Sequence, residues 1–209
     1  LTSRTYLIIN YSIMQKRLLP FLSLLLVIWG CGEAGIQSDI SKNVAIDPIN
    51  VNFPVVPGYQ GDTPPSNVST DPIDISDNDF AEYIEDSQSF KINEITFKIE
   101  GFNSANEADL ELDISISISG GASMPLLTTT ITDLQSIGAN DIQTLYEKSN
   151  PGSVNQGTIT QLEQALQSGQ SFQMDMNLTG KNVNIALSSN EIDFDITFMF
   201  DVTARLQLD

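Results

Sequence analysis

The chain has 209 residues, 27 of them acidic and nine basic, with no histidine and a single cysteine. That length suits one ordinary domain plus extensions. The acidic excess repels nucleic-acid phosphates and anionic lipid surfaces, the missing histidine removes Ser-His-Asp and Cys-His catalysis together with the usual zinc sites, and one thiol forms no intrachain disulfide.

Residues 1–13, LTSRTYLIINYSI, precede a start-like Met14 and read as an overextended start outside the folded unit. From Met14 the chain runs MQKRLLPFLSLLLVIWGC. Lys16 and Arg17 make a positive head, and Leu18 to Trp29 make an apolar run. That run is too short to cross a bilayer core of about 30 Å as a helix, and it has the form of a secretory signal over 14–30. The small Gly30 stands before Cys31, where a peptidase needs a small side chain. Ile28-Trp29-Gly30-Cys31 resembles the lipobox of bacterial lipoproteins, with Trp29 bulkier than that family's usual residue. The resemblance implies a diacylglyceryl group on the Cys31 thiol, cleavage after Gly30 and acylation of the new amino terminus. Two or more acyl chains make a stable membrane anchor. Position 32 is Gly rather than Asp, which in that family implies the outer membrane.

Residues 31–76 hold six of the nine prolines, and stretches such as PGYQGDTPPSN suit neither ladder nor helix. The segment reads as a Pro-rich tether of roughly 45 residues, reaching up to ~140 Å if fully extended. Within it VNFPVVP has the form of an edge strand, where proline is tolerated. The folded domain is expected over 77–209. It opens on a short acidic helix, DNDFAEYIED, with Phe80, Tyr83 and Ile84 on one face. Asp74, Asp77 and Asp79 of DISDNDF offer oxygen ligands of the kind Ca²⁺ takes, without the EF-hand spacing or its turn glycine. A solvated loop or helix cap explains them as simply.

Alternation then dominates. FKINEITFKIEG puts Phe90 and Ile92 in one phase and Ile95, Phe97 and Ile99 in the other, so a bulge is expected at Asn93-Glu94. DLELDISISIS places Leu110, Leu112, Ile114, Ile116 and Ile118 on one face and Asp109, Glu111 and Asp113 on the opposite, wet face. Gly120-Gly121 turns the chain into a partner strand, LLTTTIT. DIQTLYEKS offers Ile142, Leu145 and Tyr146 at helical spacing. TITQLEQALQSG reads as a helix with Thr158 as cap, Gln161 closing a capping box, and Ile159, Leu162, Ala165 and Leu166 as its buried stripe. Gly169 suits its C′ position. SFQMDMNLTG alternates through Phe172, Met174, Met176 and Leu178, and a turn at Gly180-Lys181-Asn182 leads to VNIAL. The last stretch, EIDFDITFMFDVTARLQLD, alternates over about 16 residues against the usual 5–6. It either bends between two sheets or spans one long twisted sheet, with Asp193, Asp195 and Asp201 on its wet side.

One-sided strands of this kind predict a mainly β protein, an antiparallel β-sandwich of immunoglobulin-like or related form with one or two short helices. The common catalytic signatures G-x-S-x-G, S-x-x-K and Walker A are absent from the sequence. The expected function is therefore that of a non-catalytic lipoprotein of the cell envelope, lipid-anchored and binding an envelope protein or glycan. A second reading makes Phe172, Met174, Met176, Phe194, Phe198 and Phe200 the lining of an apolar-ligand pocket between the layers. A third takes two of the many carboxylates as a hydrolase pair. No cofactor is expected beyond weak Ca²⁺ binding, and no nucleic-acid partner, since Lys98, Lys148, Lys181 and Arg205 form no basic run.

Overall fold

The computed structural model describes residues 36–74 and 87–208. Ten strands form two antiparallel sheets packed face to face, as the alternation predicts. They are β1 (Ile36–Ala45), β2 (Ile49–Pro54), β3 (Gln60–Gly61), β4 (Ser66–Ser69), β5 (Ser87–Glu100), β6 (Glu107–Ile118), β7 (Met124–Ile131), β8 (Gln143–Glu147), β9 (Phe172–Asn184) and β10 (Glu191–Leu208). One helix, α1 (Gln156–Gln167), is present among the described residues, with a 3-10 turn at Leu134–Ser136.

In the first sheet β10 lies between β5 and an edge shared by β1 and β2, and β8 closes the far side. In the second, β9 lies between β6 and an edge shared by β3 and β4, and β7 closes the far side. If β1–β2 and β3–β4 are each counted as one broken strand, eight strands remain. Their orders are 1-8-3-6 and 2-7-4-5, which is the jelly-roll wrapping of a double-sheet sandwich rather than the immunoglobulin order.

The two broken strands correct the tether reading. Residues 36–69 carry β1 to β4 and belong to the folded unit. Ile49, Val51 and Phe53 are buried, so the dyad period was present between the prolines. Both strands lie on sheet edges, where a missing N–H leaves no neighbour unpaired. The breaks fall at Asp47-Pro48 and at 62–65, which contains Pro64-Pro65. At the second break the buried Thr63 returns two bonds to Gly180, N–H to its carbonyl at 2.9 Å and Oγ1 accepting its amide at 2.9 Å.

The expected bulge is where the phase slip put it. Asp201 faces Glu94 and Val202 faces Ile92, leaving Asn93 as the extra residue on β5. Phe90 and Ile92 on one side of it, and Ile95, Phe97 and Ile99 on the other, are all buried. The disturbed ladder is repaired from α1. Glu163, itself 9% exposed, accepts the Ile92 amide at 3.1 Å and the Lys91 ammonium at 2.8 Å. Asn93 accepts the Lys148 amide at 2.8 Å.

Three local expectations are corrected. Residues 143–147 form β8 rather than a helix. The segment is too short to nucleate one alone, its Thr and Tyr favour strand, and β5 offers an open edge. Accordingly Tyr146 is buried while Ile142 is 60% exposed. α1 begins three residues earlier than its expected cap: Asn155 accepts the amides of Gly157 and Thr158, and Thr158 is buried, donating to the Pro125 carbonyl at 2.7 Å. At its other end Gly169 has φ +61° and bonds to Leu166, while Gln170 bonds to Ala165, a Schellman closure. Finally, Gly180-Lys181-Asn182 is a bulge inside a continuous β9, with Asn182 at φ +50° held by Asp62 and Asp109.

β10 stays in one sheet for its whole length. Alternate residues from Ile192 to Leu206 are buried, and the Phe198 side chain meets Phe97 with ring centres 6.2 Å apart. α1 closes one end of the sandwich, where Leu162 and Leu166 cover the edge-to-face pair of Phe172 and Phe200.

Candidate functional site: a groove between two strand edges

Gly30 and Cys31 lie outside the described residues, as do Asp77, Asp79 and the acidic helix expected at 77–86. Asp74 is described and half-buried. Among the described residues no three carboxylates gather as a metal-ion site. No helix among those residues is long and apolar enough to cross a membrane. Phe172, Met174, Met176, Phe194, Phe198 and Phe200 are all buried in the core. The void beside Phe172 and Phe200 measures about 10 Å³, room for no more than one water.

The wet faces show how a chain so rich in acid avoids self-repulsion. Asp109, Glu111 and Asp113 lie on β6 and Asp193, Asp195 and Asp201 on β10, strands of different sheets. Each carboxylate is met by a donor from a neighbouring strand or loop, and most of these donors are neutral. Asn50 donates to Asp193 at 3.0 Å and to Asp195 at 3.1 Å. Asn52 donates to Glu191, Asn93 to Asp201, Asn182 to Asp109 and Asn184 to Glu107. Hydroxyls do the same, Thr128 for Asp113, Thr144 for Glu94, and Ser69 and Ser117 together for Asp175. Cations serve the remainder. Arg205 grips Asp39 with two nitrogens, and its hydrogen bonds hold the Asp39 carboxyl below the usual carboxylate range. Lys181 does likewise for Asp62, helped by the Asn182 amide.

Asp47 and Asp71 stand apart from this pattern. Among the described residues neither carboxylate has a hydrogen bond or an ion pair. Both belong to the tripeptide Asp-Pro-Ile, which occurs at 47–49 and again at 71–73. The fold brings the two copies to opposite walls of one groove of about 560 Å³. One wall is the turn from β1 to β2, fixed by the Ile46 amide on the Phe198 carbonyl at 2.9 Å. The other runs from β4 to Asp74. It is pinned by Thr70 on Met174 and by a reciprocal pair between Ile73 and Phe172 at 2.7 and 3.0 Å. Ile46, Ile49, Val68 and Ile73 contribute apolar surface to the groove, and Asp47, Asp71 and Asp74 its charge. Neither a base nor an aromatic ring is among its described lining residues.

The sequence carried one signal of this site, the repeated Asp-Pro-Ile. Proline fixes its own φ, lacks an N–H, and holds the residue before it extended. Two such units therefore mark two places where an edge strand stops and an aspartate is left outside the ladder.

No protein-family model and no curated protein matches the chain. Among solved structures, that of Desmodium yellow mottle tymovirus aligns over 85% of this chain and 92% of its own, at 10% identity and a TM-score of 0.37. The structure of infectious bursal disease virus Gx strain aligns over 82% of this chain and 37% of its own, at 10% identity and a TM-score of 0.29. Likeness at that level carries no argument, and the strand order above is what defines the fold.

Proposed function

We propose that this chain is a non-catalytic binding module of the bacterial cell envelope, held at a membrane, outer membrane where there is one, by lipid on Cys31. The observation that carries the reading is the single cysteine placed directly after a charged head, an apolar run and a small glycine. The core supports it. Six large side chains that were candidates to line an apolar-ligand pocket are packed against one another, with space for no such ligand between them. The carboxylates described above are engaged by Asn, Ser and Thr, which argues for a structural part in the wet faces rather than an acid/base pair. The groove between the Asp-Pro-Ile turns is the concave surface best suited to a partner. Its lack of an aromatic platform favours a protein over a glycan, since sugar faces stack on rings.

The test is metabolic labelling with an alkyne-bearing fatty acid in a bacterial host, with wild type beside Cys31→Ser. Wild type takes the label and fractionates with membranes, and the variant does neither. Equal labelling of both, or of neither, overturns the anchor.

A further inference from the structure

We infer that the groove between the two Asp-Pro-Ile turns receives a short extended segment of a partner protein bearing lysine or arginine, added along the free edge of β4. The inference deepens the binding-module reading and rests on it. Three observations converge. The two described carboxylates without a partner both line this groove, one from each wall, on a surface where the other described carboxylates are tied to donors. The groove wall carries apolar side chains, Val44, Ile46 and Ile49 from one sheet and Val68 and Ile73 from the other, which suit the alternate apolar side chains of a strand. Among the described residues β4 pairs with β9 alone, and its other side is an end of the second sheet, beside β2.

An edge strand with unpaired main-chain groups is a template for another chain, and main-chain bonds plus alternating side-chain pockets are how such a strand is recognised. Prolines flank this edge at Pro65 and Pro72, so the ladder they permit is short and indiscriminate pairing is blocked. Charge then supplies the selection. A strand presenting ammonium or guanidinium groups toward Asp47 and Asp71 is attracted, and an acidic strand is repelled. The chain's own next segment, residues 75–86, is of the wrong sign, with five acidic residues and no basic one.

The test uses the full chain in mild detergent and the fluorescent peptide acetyl-Val-Lys-Val-Lys-Val-amide. The Val-Glu-Val-Glu-Val analogue and spermine are the comparisons. The lysine peptide binds, its affinity falls as salt rises, and amide-exchange protection appears over 66–69 and 46–50. Asp47→Asn and Asp71→Asn each weaken it about fivefold, in line with exposed charge pairs. The pair Glu94→Gln and Glu147→Gln, on β5 and β8 at the far side of the first sheet, leaves it unchanged. Equal binding of the glutamate peptide, indifference to both Asp47→Asn and Asp71→Asn, or binding of spermine without edge protection overturns the inference. So does failure of the lysine peptide to bind. Salt dependence of the wild type keeps the test independent of how the variants fold. The acyl label on Cys31 is read separately, so loss of the groove and loss of the anchor are distinct results.

Discussion

Removing the carboxylate of Glu163 should expose how the β5 bulge is held. Asn93 is the extra residue, and beside it the Ile92 amide has Glu163 Oε1 as its acceptor at 3.1 Å. Ile92 itself is fully buried. Glu163→Ala leaves that N–H without an acceptor, which costs about 1–3 kcal/mol. It also breaks the pair with Lys91, whose side chain is 49% exposed, adding at most about 1 kcal/mol. The expected total is about 3 kcal/mol, a fall in Tm of roughly 6–12 °C for a domain of this size. Glu163→Gln keeps a carbonyl for the Ile92 amide and gives up only the ion pair. It and Lys91→Ala should therefore each cost under about 1 kcal/mol. Urea titrations followed by far-ultraviolet circular dichroism measure all three. If the glutamine variant falls as far as the alanine variant, the charge and not the satisfied amide holds the bulge, and the reasoning above is wrong.

Other expectations follow from the same geometry. Asn50→Asp replaces the donor shared by Asp193 and Asp195 with a third carboxylate, at a cost of about 1 kcal/mol; the difference from wild type should shrink between 0.01 and 1 M salt (roughly 30 and 3 Å of screening length), and a gap that does not narrow counts against electrostatics. Gly169→Ala places a Cβ at φ +61° in the Schellman closure of α1 and should lower stability by about 1 kcal/mol, read by thermal melting. Burial, and then the Glu163 charge, raise the ionisation of Tyr146 above the usual tyrosine range. A raised folded-state value means full stability below the ordinary value and loss as pH climbs through the raised one. Melting temperature should therefore decline above about pH 10, and Tyr146→Phe should flatten that decline.

The long strands were legible because one buried face leaves a period of two, and a bulge leaves a visible change of phase. Asn93 is the clearest instance, since Ile92 and Ile95 cannot share a face without it. The edge strands were hidden because an edge needs fewer ladder bonds. Prolines that exclude a central strand do not exclude β1, β2 or β4. β8 was hidden because its helix-like spacing covers too few residues to outweigh an open neighbouring edge, a tertiary effect that no local pattern contains. The cap of α1 moved because Asn155 and Thr158 are both competent caps, and only the packing of Thr158 under β7 decides between them. Strand order is likewise absent from periodicity, which is why the wrapping differs from the immunoglobulin form. Of the candidate site, Asp74 carries a local signal of calcium chemistry, while Asp47 and Asp71 read by sequence as residues of a tether. Their repeat is visible in the sequence, but their meeting in one groove depends on the pairing of β1–β2 with β10 and of β4 with β9.

The position of β10 makes closure of the first sheet a long-range event. It is the last of the described strands, yet it lies in the interior of the first sheet, between β5 and the strands that come first in the described chain. Asp39 and Ser41 near the start of the domain meet Arg205 and Thr203 at its end. While the final stretch is still unmade, β1, β2 and β5 have their apolar faces and no central partner. The first sheet therefore closes through contacts of the long-range kind that form slowly. The strand that seals the first sheet is thus also the one that draws the two ends of the described chain together.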